Sequence, residues 1–349
     1  MKKNGNAPIK EIAEKLGVSL STVSVVLNGR GDAMRISKAT QKRVREAAKE
    51  LNYHPNIYAR RLRTSGAEEA YKVIAVFWCT DFTDDMLGRF FRGAQRCVKD
   101  KDYKVEFYVN LFDSDHLSDW KDIMTSSHFS GIIISGISDG KDMEFLDEHQ
   151  FDLPVVLLYW NVQKYNCVYL NDYEIGKNSA KLFSLRKHKR VGLVSLKKRL
   201  HGAVLRQMGF LETCAQCGLE IKKEWIQEAE GRDCNSGYES MKKILAGKER
   251  PTAIFVMAPE QVLGVIMACR DEGIEIPKDM EVLTYGDNSV FPYFSPSISS
   301  VHIPLESVGE NALSLLTVVI DGQIDIPVSR MLSAEFAFRE SCGGYPKDS

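Results

Sequence analysis

Short apolar segments recur along the chain from residue 73 to residue 285, mostly at spacings of roughly 20–30 residues. Charged, helix-like stretches such as GRFFRGAQRCVKDK separate them. Short apolar segments that alternate with helices are typical of parallel strands covered by helices on both faces. The segments are residues 73–78, 104–109, 131–135, 154–158, 168–170, 190–195, 252–257 and 281–285. The sequence therefore predicts an α/β body with parallel sheets.

The first 54 residues follow a different pattern, with three short runs of apolar residues at helical spacing. Gly17 ends the first run and Ser19 is placed to cap the second, while the third begins near Ser37. Three short helices around one small apolar cluster, with a tight turn between the first two, predict a helix-turn-helix. The inward-facing positions are Ile9, Ile12, Ala13, Leu16, Val18, Val23, Val26, Leu27, Val44, Ala47, Ala48 and Leu51.

Charge is unevenly distributed along the chain. Residues 1–65 contain 14 Lys or Arg against 5 acidic residues, a net charge of +9, whereas the whole chain carries −1. The rest of the chain must then carry −10. A basic amino-terminal region on an acidic body indicates a polyanionic partner at one end, and nucleic acid is the partner that this pattern favours.

The second predicted helix carries the candidate DNA contacts. Hydroxyl side chains and backbone amides at a helix amino terminus donate to phosphate oxygens. Side chains that face away from the apolar cluster would point at base edges in the major groove. Leu20 and Val25 have no hydrogen-bonding groups, so they would contact thymine methyl groups or read DNA shape. The candidate residues are Ser19, Leu20, Ser21, Thr22, Ser24, Val25 and Asn28.

The segment YHPNIYARRLRT follows this unit. Pro55 and Asn56 suit the start of a helix, but 57–62 is too short to be a stable helix alone. Three arginines surround an apolar residue at its end, which predicts a segment that folds in a DNA minor groove and wedges Leu62 into a base step. The basic residues are Arg60, Arg61 and Arg63.

The motifs PIKEIAEKLGVSLSTVSVVLNG and YHPNIYARRLRT resemble the LacI/GalR family of bacterial transcription regulators. The resemblance implies that Leu20, Ser21 and Val25 read the operator and that Leu62 intercalates with Ala59 beside it. Many family members have Arg at the position of Val25, so the operator sequence does not carry over.

The family resemblance also implies a periplasmic-binding-protein-like (type I) body with two lobes. The expected organisation is a helix-turn-helix domain at 1–54, a hinge helix and linker at 55–71, and an effector-binding and dimerisation domain at 72–340. Its N-lobe would span about 72–165 and 302–322, and its C-lobe about 166–301 and 323–340.

A ligand would bind between the lobes, at the carboxyl ends of the strands. Rings at these positions can stack on a sugar or another flat ligand, and Arg and Asp can hold its polar groups. Plain core packing is an alternative for Trp78 and Trp160, and a turn role for Asp287. The candidate effector-binding residues are Trp78, Phe82, Tyr159, Trp160, Arg206 and Asp287.

The crevice departs from the family where this chain has Tyr159, Ala258-Pro259 and Gly286 in place of acidic or amide residues. The loss of these polar groups argues against a standard monosaccharide and leaves a ligand that stacks on aromatic rings, or a different class of sugar. The expected small-molecule effector is a sugar or a related metabolite. A body that senses a protein partner instead is the alternative.

The chain is thus expected to be a homodimeric repressor that binds double-stranded operator DNA. A transported-solute binding protein and an α/β enzyme are the rivals. The first lacks a signal peptide here, and the second lacks a GxGxxG, P-loop, GxSxG or HExxH motif.

No cofactor, metal or membrane span is expected, and the cytoplasm is the expected compartment. Eight scattered cysteines fit a reducing compartment, and Cys214 and Cys217 form only an isolated CxxC pair.

Overall fold

The structure is a computed structural model. It describes residues 9–27, 31, 34–50, 71–82, 84–125, 128–149, 151–197 and 200–344. The chain divides into two compact units, Met1–Tyr71 and Lys72–Ser349. Within the described part, no helix combines the length and the apolar character that crossing a bilayer requires.

The described residues of the first unit form three helices, α1 (Ile9–Leu16), α2 (Leu20–Leu27) and α3 (Lys38–Glu50). Their inward faces bury one small cluster formed by Ile12, Ala13, Val23, Val26, Val44, Ala47 and Ala48. The Ser19 hydroxyl accepts a hydrogen bond from the Thr22 amide at 3.1 Å, and the Ser37 hydroxyl accepts one from the Thr40 amide at 3.2 Å. Both serines therefore cap the helices that follow them, which confirms the predicted cap at Ser19 and the predicted start of the third helix near Ser37.

The second unit, which we call the body, is built from alternating strands and helices. Its helices are α4 (Asp84–Asp100), α5 (Lys121–Met124), α6 (Lys141–Glu148), α7 (Asp172–Leu185), α8 (His201–Gln216), α9 (Cys234–Leu245), α10 (Val262–Asp271) and α11 (Leu305–Ile320). Its strands are β1 (Lys72–Cys79), β2 (Val105–Phe112), β3 (Gly131–Ser135), β4 (Val155–Leu158), β5 (Asn166–Leu170), β6 (Val191–Leu196), β7 (Ile226–Ala229), β8 (Ala253–Val256), β9 (Glu281–Tyr285), β10 (Ser299–His302), β11 (Ser329–Leu332) and β12 (Glu335–Ala337).

Two six-stranded sheets form the body. Their strand orders are β11-β5-β4-β3-β1-β2 and β12-β10-β9-β8-β6-β7. Pairing is parallel throughout both sheets, apart from the antiparallel pair of β10 with β12. The predicted α/β class with parallel sheets and two lobes is confirmed. We call the first sheet with its helices the N-lobe and the second the C-lobe.

The lobe boundaries differ from those expected. Strand Asn166–Leu170 pairs with β4 and therefore extends the N-lobe beyond residue 165. Strand Ser329–Leu332 also pairs into the N-lobe sheet, so the assignment of residues 323–340 to the C-lobe was wrong for this strand. The chain crosses between the lobes after β5, after β10 and after β11. Sequence patterns miss these limits because a strand near a crossover has the same apolar character in either lobe.

Three helix pairs cross with glycine at their contact points. A Cβ atom at Gly93 of α4 would collide with the Glu306 carbonyl of α11, and one at Gly309 would collide with the Phe90 carbonyl. Gly176 and Gly209 stand in the same reciprocal relation where α7 crosses α8, and Gly237 and Gly264 where α9 meets α10. The absence of a side chain at these points lets the backbones touch, which fixes how each helix pair is placed over its sheet.

Candidate functional sites: a DNA-binding helix and an inter-lobe crevice

Helix α2 presents two chemically different faces. Val23 and Val26 are fully or almost fully buried, whereas Leu20 is 52% exposed and Ser21 is exposed. Val25 is partly buried. An exposed leucine in the first turn of a helix, beside hydroxyl groups, provides both apolar and hydrogen-bonding contacts that suit a DNA groove.

The hydroxyl groups at the start of α2 are linked to one another. The Ser19 hydroxyl lies 2.8 Å from the Ser21 hydroxyl and 2.8 Å from the Thr22 hydroxyl. Hydroxyl groups that hydrogen-bond to one another can rotate and donate to a phosphate oxygen instead when DNA binds. Ser24 lies in α2, but its side chain is outside the described part of the chain. The other predicted DNA contacts, Asn28, Asn56, Ala59, Arg60, Arg61 and Leu62, also lie outside the described residues.

The body contains a crevice between its two lobes, with a volume of about 190 Å³. The carboxyl ends of parallel strands from both sheets border it, because parallel strands point their carboxyl ends to one edge. Five of the six predicted effector-binding residues line this crevice, namely Phe82, Tyr159, Trp160, Arg206 and Asp287.

Aromatic rings cover the N-lobe side of the crevice. Phe82 and Tyr159 meet edge to face, with ring centroids 5.3 Å apart. Trp160 stacks on the His201 ring at 4.1 Å, which is a contact between the lobes. His201 also pairs with Asp139, its Nδ1 lying 2.8 Å from the carboxylate Oδ1. The lobes therefore touch across one side of the crevice.

Trp78 does not line the crevice. Its side chain is 1% exposed and packs among the N-lobe core residues, 5.4 Å from the Phe90 ring and 5.8 Å from the Phe82 ring between centroids. The last residues of β1 alternate faces, and this one faces α4 and α11 rather than the opening. The core-packing alternative therefore describes its place in the structure.

Arg206 is engaged by the protein itself. Its Nε and Nη2 atoms donate to Asp172 Oδ1 at 3.1 and 2.7 Å, and the two side chains are 5% and 4% exposed. The guanidinium carbon lies 3.1 Å from the centroid of the Tyr285 ring. Burial raises the pKa of the Asp172 carboxyl, and Arg206 opposes that rise. Burial also raises the pKa of Tyr285 to about 12, so its hydroxyl stays protonated.

Asp287 is likewise held by neighbouring side chains. Arg339 donates from Nη1 and Nη2 to its two carboxylate oxygens at 2.9 and 3.1 Å, and the Ser300 hydroxyl donates at 2.7 Å. Burial raises the pKa of Asp287, but the hydrogen bonds from Arg339 and Ser300 outweigh it and hold that pKa below its ordinary value. Its carboxylate thus lines the crevice with most of its hydrogen-bonding capacity already used.

Sequence reasoning missed several charged residues that line the crevice, namely Asp85, Arg89, Asp172, Arg232 and Glu260. Arg232 follows β7, whose sequence IQEA has no apolar run and was not predicted as a strand. Glu260 follows the Ala258-Pro259 pair that had been interpreted only as a loss of polar groups. Burial raises the pKa of Glu260 and lowers the pKa of Arg232.

Among the described residues, three buried polar atoms of lining side chains have no hydrogen-bond partner, namely Arg232 Nε, Glu260 Oε2 and the Tyr159 hydroxyl. Buried polar groups are nearly always hydrogen-bonded, so these three side chains are candidates for hydrogen bonds to a bound ligand. The arrangement can therefore bind a polar ligand against aromatic walls. Within the described part of the chain, no group of three or more His, Cys, Asp or Glu side chains could hold a metal ion.

Two family profiles match the chain. "Bacterial regulatory proteins, lacI family" matches residues 8–56, and "Periplasmic binding protein-like domain" matches residues 180–342. Curated relatives named HTH-type transcriptional repressor PurR extend over nearly the whole chain. The protein from Mannheimia succiniciproducens is 27% identical over 316 residues, covering 89% of this chain and 91% of the relative. The protein from Vibrio cholerae is 27% identical over 313 residues, covering 89% and 90%.

Solved structures show the same architecture. A LacI family transcription regulator from Clostridium acetobutylicum superposes with a TM-score of 0.72 at 28% identity, covering 77% of this chain and 99% of that one. A transcriptional regulator CelR–cellobiose complex gives a TM-score of 0.68 at 21% identity, covering 96% and 99%. The lac repressor dimer bound to operator and an anti-inducer gives 0.68 at 19% identity, covering 97% and 99%. The last two likenesses concern the fold alone.

A helix-turn-helix joined to a two-lobed body with a polar crevice defines a DNA-binding transcription regulator rather than an enzyme. The chain therefore contains a lacI-family DNA-binding domain and a periplasmic-binding-protein-like domain, and over nearly its whole length it is similar to transcription repressors of the LacI/PurR type.

Proposed function

We propose that this repressor binds a pseudo-palindromic operator as a homodimer and that a small molecule in the inter-lobe crevice changes its affinity for DNA. The observation that carries the DNA-binding part is the exposed Leu20 and Ser21 at the start of α2. A single recognition helix reads only a few base pairs, so two copies related by a twofold axis would supply the remaining contacts.

In this proposal, the amino-terminal turn of α2 enters the major groove. Leu20 would contact thymine methyl groups, Ser21 and Thr22 would donate to bases or phosphates, and Val25 would pack against the groove wall. The segment that contains Leu62 would fold against the minor groove between the two half-sites and wedge that leucine into a base step.

A homodimer is supported by the N-lobe edge. Strand β2 is the outer strand of its sheet, and Tyr108, Val109 and Leu111 on it are 44%, 43% and 53% exposed. Exposed apolar residues on an edge strand are a liability unless another surface covers them. The similar lac repressor structure is a dimer bound to operator, which agrees with this proposal. Leu111→Glu should convert the dimer to monomers in sedimentation equilibrium if β2 is covered by the second copy.

A small ligand is favoured over a protein partner as the signal for the crevice. The crevice, with a volume of about 190 Å³, is lined by residues of both lobes, and an enclosed cleft of this kind suits a small molecule. The residues that carry the orphaned polar atoms belong to its lining. The structure of the CelR relative contains cellobiose, so a body of this fold can accept a sugar.

Selection from random duplexes followed by footprinting tests the DNA-binding proposal. We expect protection of a pseudo-palindromic sequence. Leu20→Ala should weaken binding to that sequence by about 5- to 150-fold while barely changing binding to a scrambled duplex, because only base readout is lost. Leu185→Ala is the matched control, since this leucine of α7 is 77% exposed and lies in the body. Uniform protection of every duplex, or equal losses on both duplexes, would contradict the proposal.

A further inference from the structure

Arg232 stands apart from the other arginines of the crevice. Its Nη1 atom donates to the Asp81 carbonyl at 2.7 Å, which links the C-lobe to the N-lobe. Its Nε atom is buried and has no hydrogen-bond partner. Among the described residues, no carboxylate forms an ion pair with this guanidinium.

The other two arginines that line the crevice are neutralised. Glu306 receives two hydrogen bonds from Arg89, each at 3.0 Å, and Asp172 receives two from Arg206. The Glu260 carboxylate acts on Arg232 as an opposite charge, and Arg206 acts on it as a like charge, but among the described residues neither makes an ion pair or a hydrogen bond with this guanidinium. Because a buried guanidinium and a buried carboxylate that do not touch are costly, a ligand that binds to both explains their position better than fold stability does.

The groups facing Arg232 are complementary to hydroxyl or amine groups on the same ligand. Glu260 Oε2 can accept a hydrogen bond and the Tyr159 hydroxyl can donate or accept one, and both atoms are buried without partners. The rings of Phe82 and Trp160 border the same space and suit the apolar face of a compact ligand.

We propose that the crevice binds a compact organic acid, with a carboxylate or phosphate group held by Arg232 and hydroxyl or amine groups that reach Glu260 and Tyr159. This inference rests on the proposed function of the crevice as the effector site and narrows its ligand to an anion. Arg206 remains engaged with Asp172 and is not the residue that receives the acidic group.

The first test needs no ligand. Arg232→Met removes a buried charge that no carboxylate contacts, together with one hydrogen bond to the Asp81 carbonyl, so the thermal unfolding midpoint of the full chain should fall by less than when a bonded ion pair is broken. Arg186→Met is the matched control, because Arg186 makes a bidentate pair with Glu281 at 2.6 and 2.8 Å. The control should lower the midpoint by roughly 5 °C or more. A comparable fall in Arg232→Met, or its failure to fold, would show that Arg232 is structural and would overturn the proposal.

The second test uses sodium acetate and inorganic phosphate, each compared with sodium chloride at equal ionic strength. Whichever of the two anions binds Arg232 should raise the thermal unfolding midpoint of the wild-type chain by roughly 3 °C or more, because a ligand that binds only the folded state stabilises that state. Arg232→Met should abolish this shift and Arg232→Lys should keep part of it. Acetate and phosphate distinguish a carboxylate from a phosphate ester. An equal shift in wild type and Arg232→Met, or no shift with either anion, would overturn the proposal.

Operator binding separates this inference from the proposed function. The wild type should bind a selected duplex either with or without the anion, and in Arg232→Met the anion should no longer change DNA binding. If the wild type bound no selected duplex under either condition, the proposed function would fail while the anion shift could still be measured.

Discussion

The buried pair of Asp172 and Arg206 makes a quantitative prediction about the stability of the body. Asp172→Ala leaves the Arg206 guanidinium, whose side chain is 5% exposed, without a carboxylate. Removing one partner of a buried ion pair costs about 3–5 kcal/mol, because the remaining charge stays desolvated. The cation–π contact with Tyr285 is present in both the wild type and the variant, so it does not change the difference between them. We therefore expect a loss of about 3–5 kcal/mol in the free energy of unfolding.

Urea unfolding of the full chain, followed by circular dichroism, measures this loss. The double variant Asp172→Ala/Arg206→Met should recover much of the stability, since no uncompensated charge remains. Glu230→Ala is the control, because it breaks the exposed pair with Lys197 and should cause no measurable change. If the single variant were as stable as this control, or the double variant lost the sum of both single losses, the reasoning about the buried pair would be refuted.

Three further predictions follow from the body. Gly93→Ala should destabilise the body by about 1–3 kcal/mol, because the added methyl group collides with the Glu306 carbonyl. Gly88→Ala on the same helix should stabilise the body by about 0.5–1 kcal/mol, because a methyl group there contacts no other atom and alanine favours the helix. Urea unfolding midpoints that shift in the same direction in both variants would contradict this prediction. The pKa of Asp287 is depressed in the folded chain, so the carboxylate stabilises the fold above the ordinary pKa of 3.8, and this stabilisation is lost as the pH falls below that value. In Asp287→Asn, the free energy of unfolding should therefore decrease less steeply with falling pH in the acidic range. Tyr159→Phe removes a buried hydroxyl without a partner and should leave ligand-free stability unchanged or raise it, and a drop of more than about 1 kcal/mol in urea unfolding would show that the hydroxyl is satisfied.

The elements that could be predicted from the sequence were those whose own residues bury a continuous apolar face. All eight predicted apolar segments lie in strands, and the three helices of the first unit bury the predicted positions that the structure describes. Four strands were missed. Strand β11, for example, reads SRML and is only partly buried, so no local apolar pattern marks it as part of the N-lobe sheet.

The crevice shows where sequence reasoning stops. Tyr159 and Trp160 line the crevice because they follow a parallel strand. The same argument placed Trp78 there wrongly, because successive side chains of a strand alternate between the two faces of the sheet and that of Trp78 faces the core. The partner of Arg206 is Asp172, which is 34 residues away in sequence, and only the crossing of α7 and α8 brings them together. A pairing of this kind depends on tertiary packing and leaves no local signal.

The position of Arg232 links the nature of the ligand to the movement of the lobes. Its Nη1 atom already binds the Asp81 carbonyl of the N-lobe, so an anion bound to this guanidinium would lie where the lobes meet. A ligand shifts a conformational equilibrium only by its difference in affinity between the two states. An anion that is enclosed by Arg232, Glu260 and Tyr159 loses the last of these contacts when the lobes separate, because Tyr159 belongs to the N-lobe and the other two to the C-lobe. We therefore expect the bound acid to favour the arrangement in which His201 stacks on Trp160, and small-angle scattering should show a smaller radius of gyration for the body when the anion is bound.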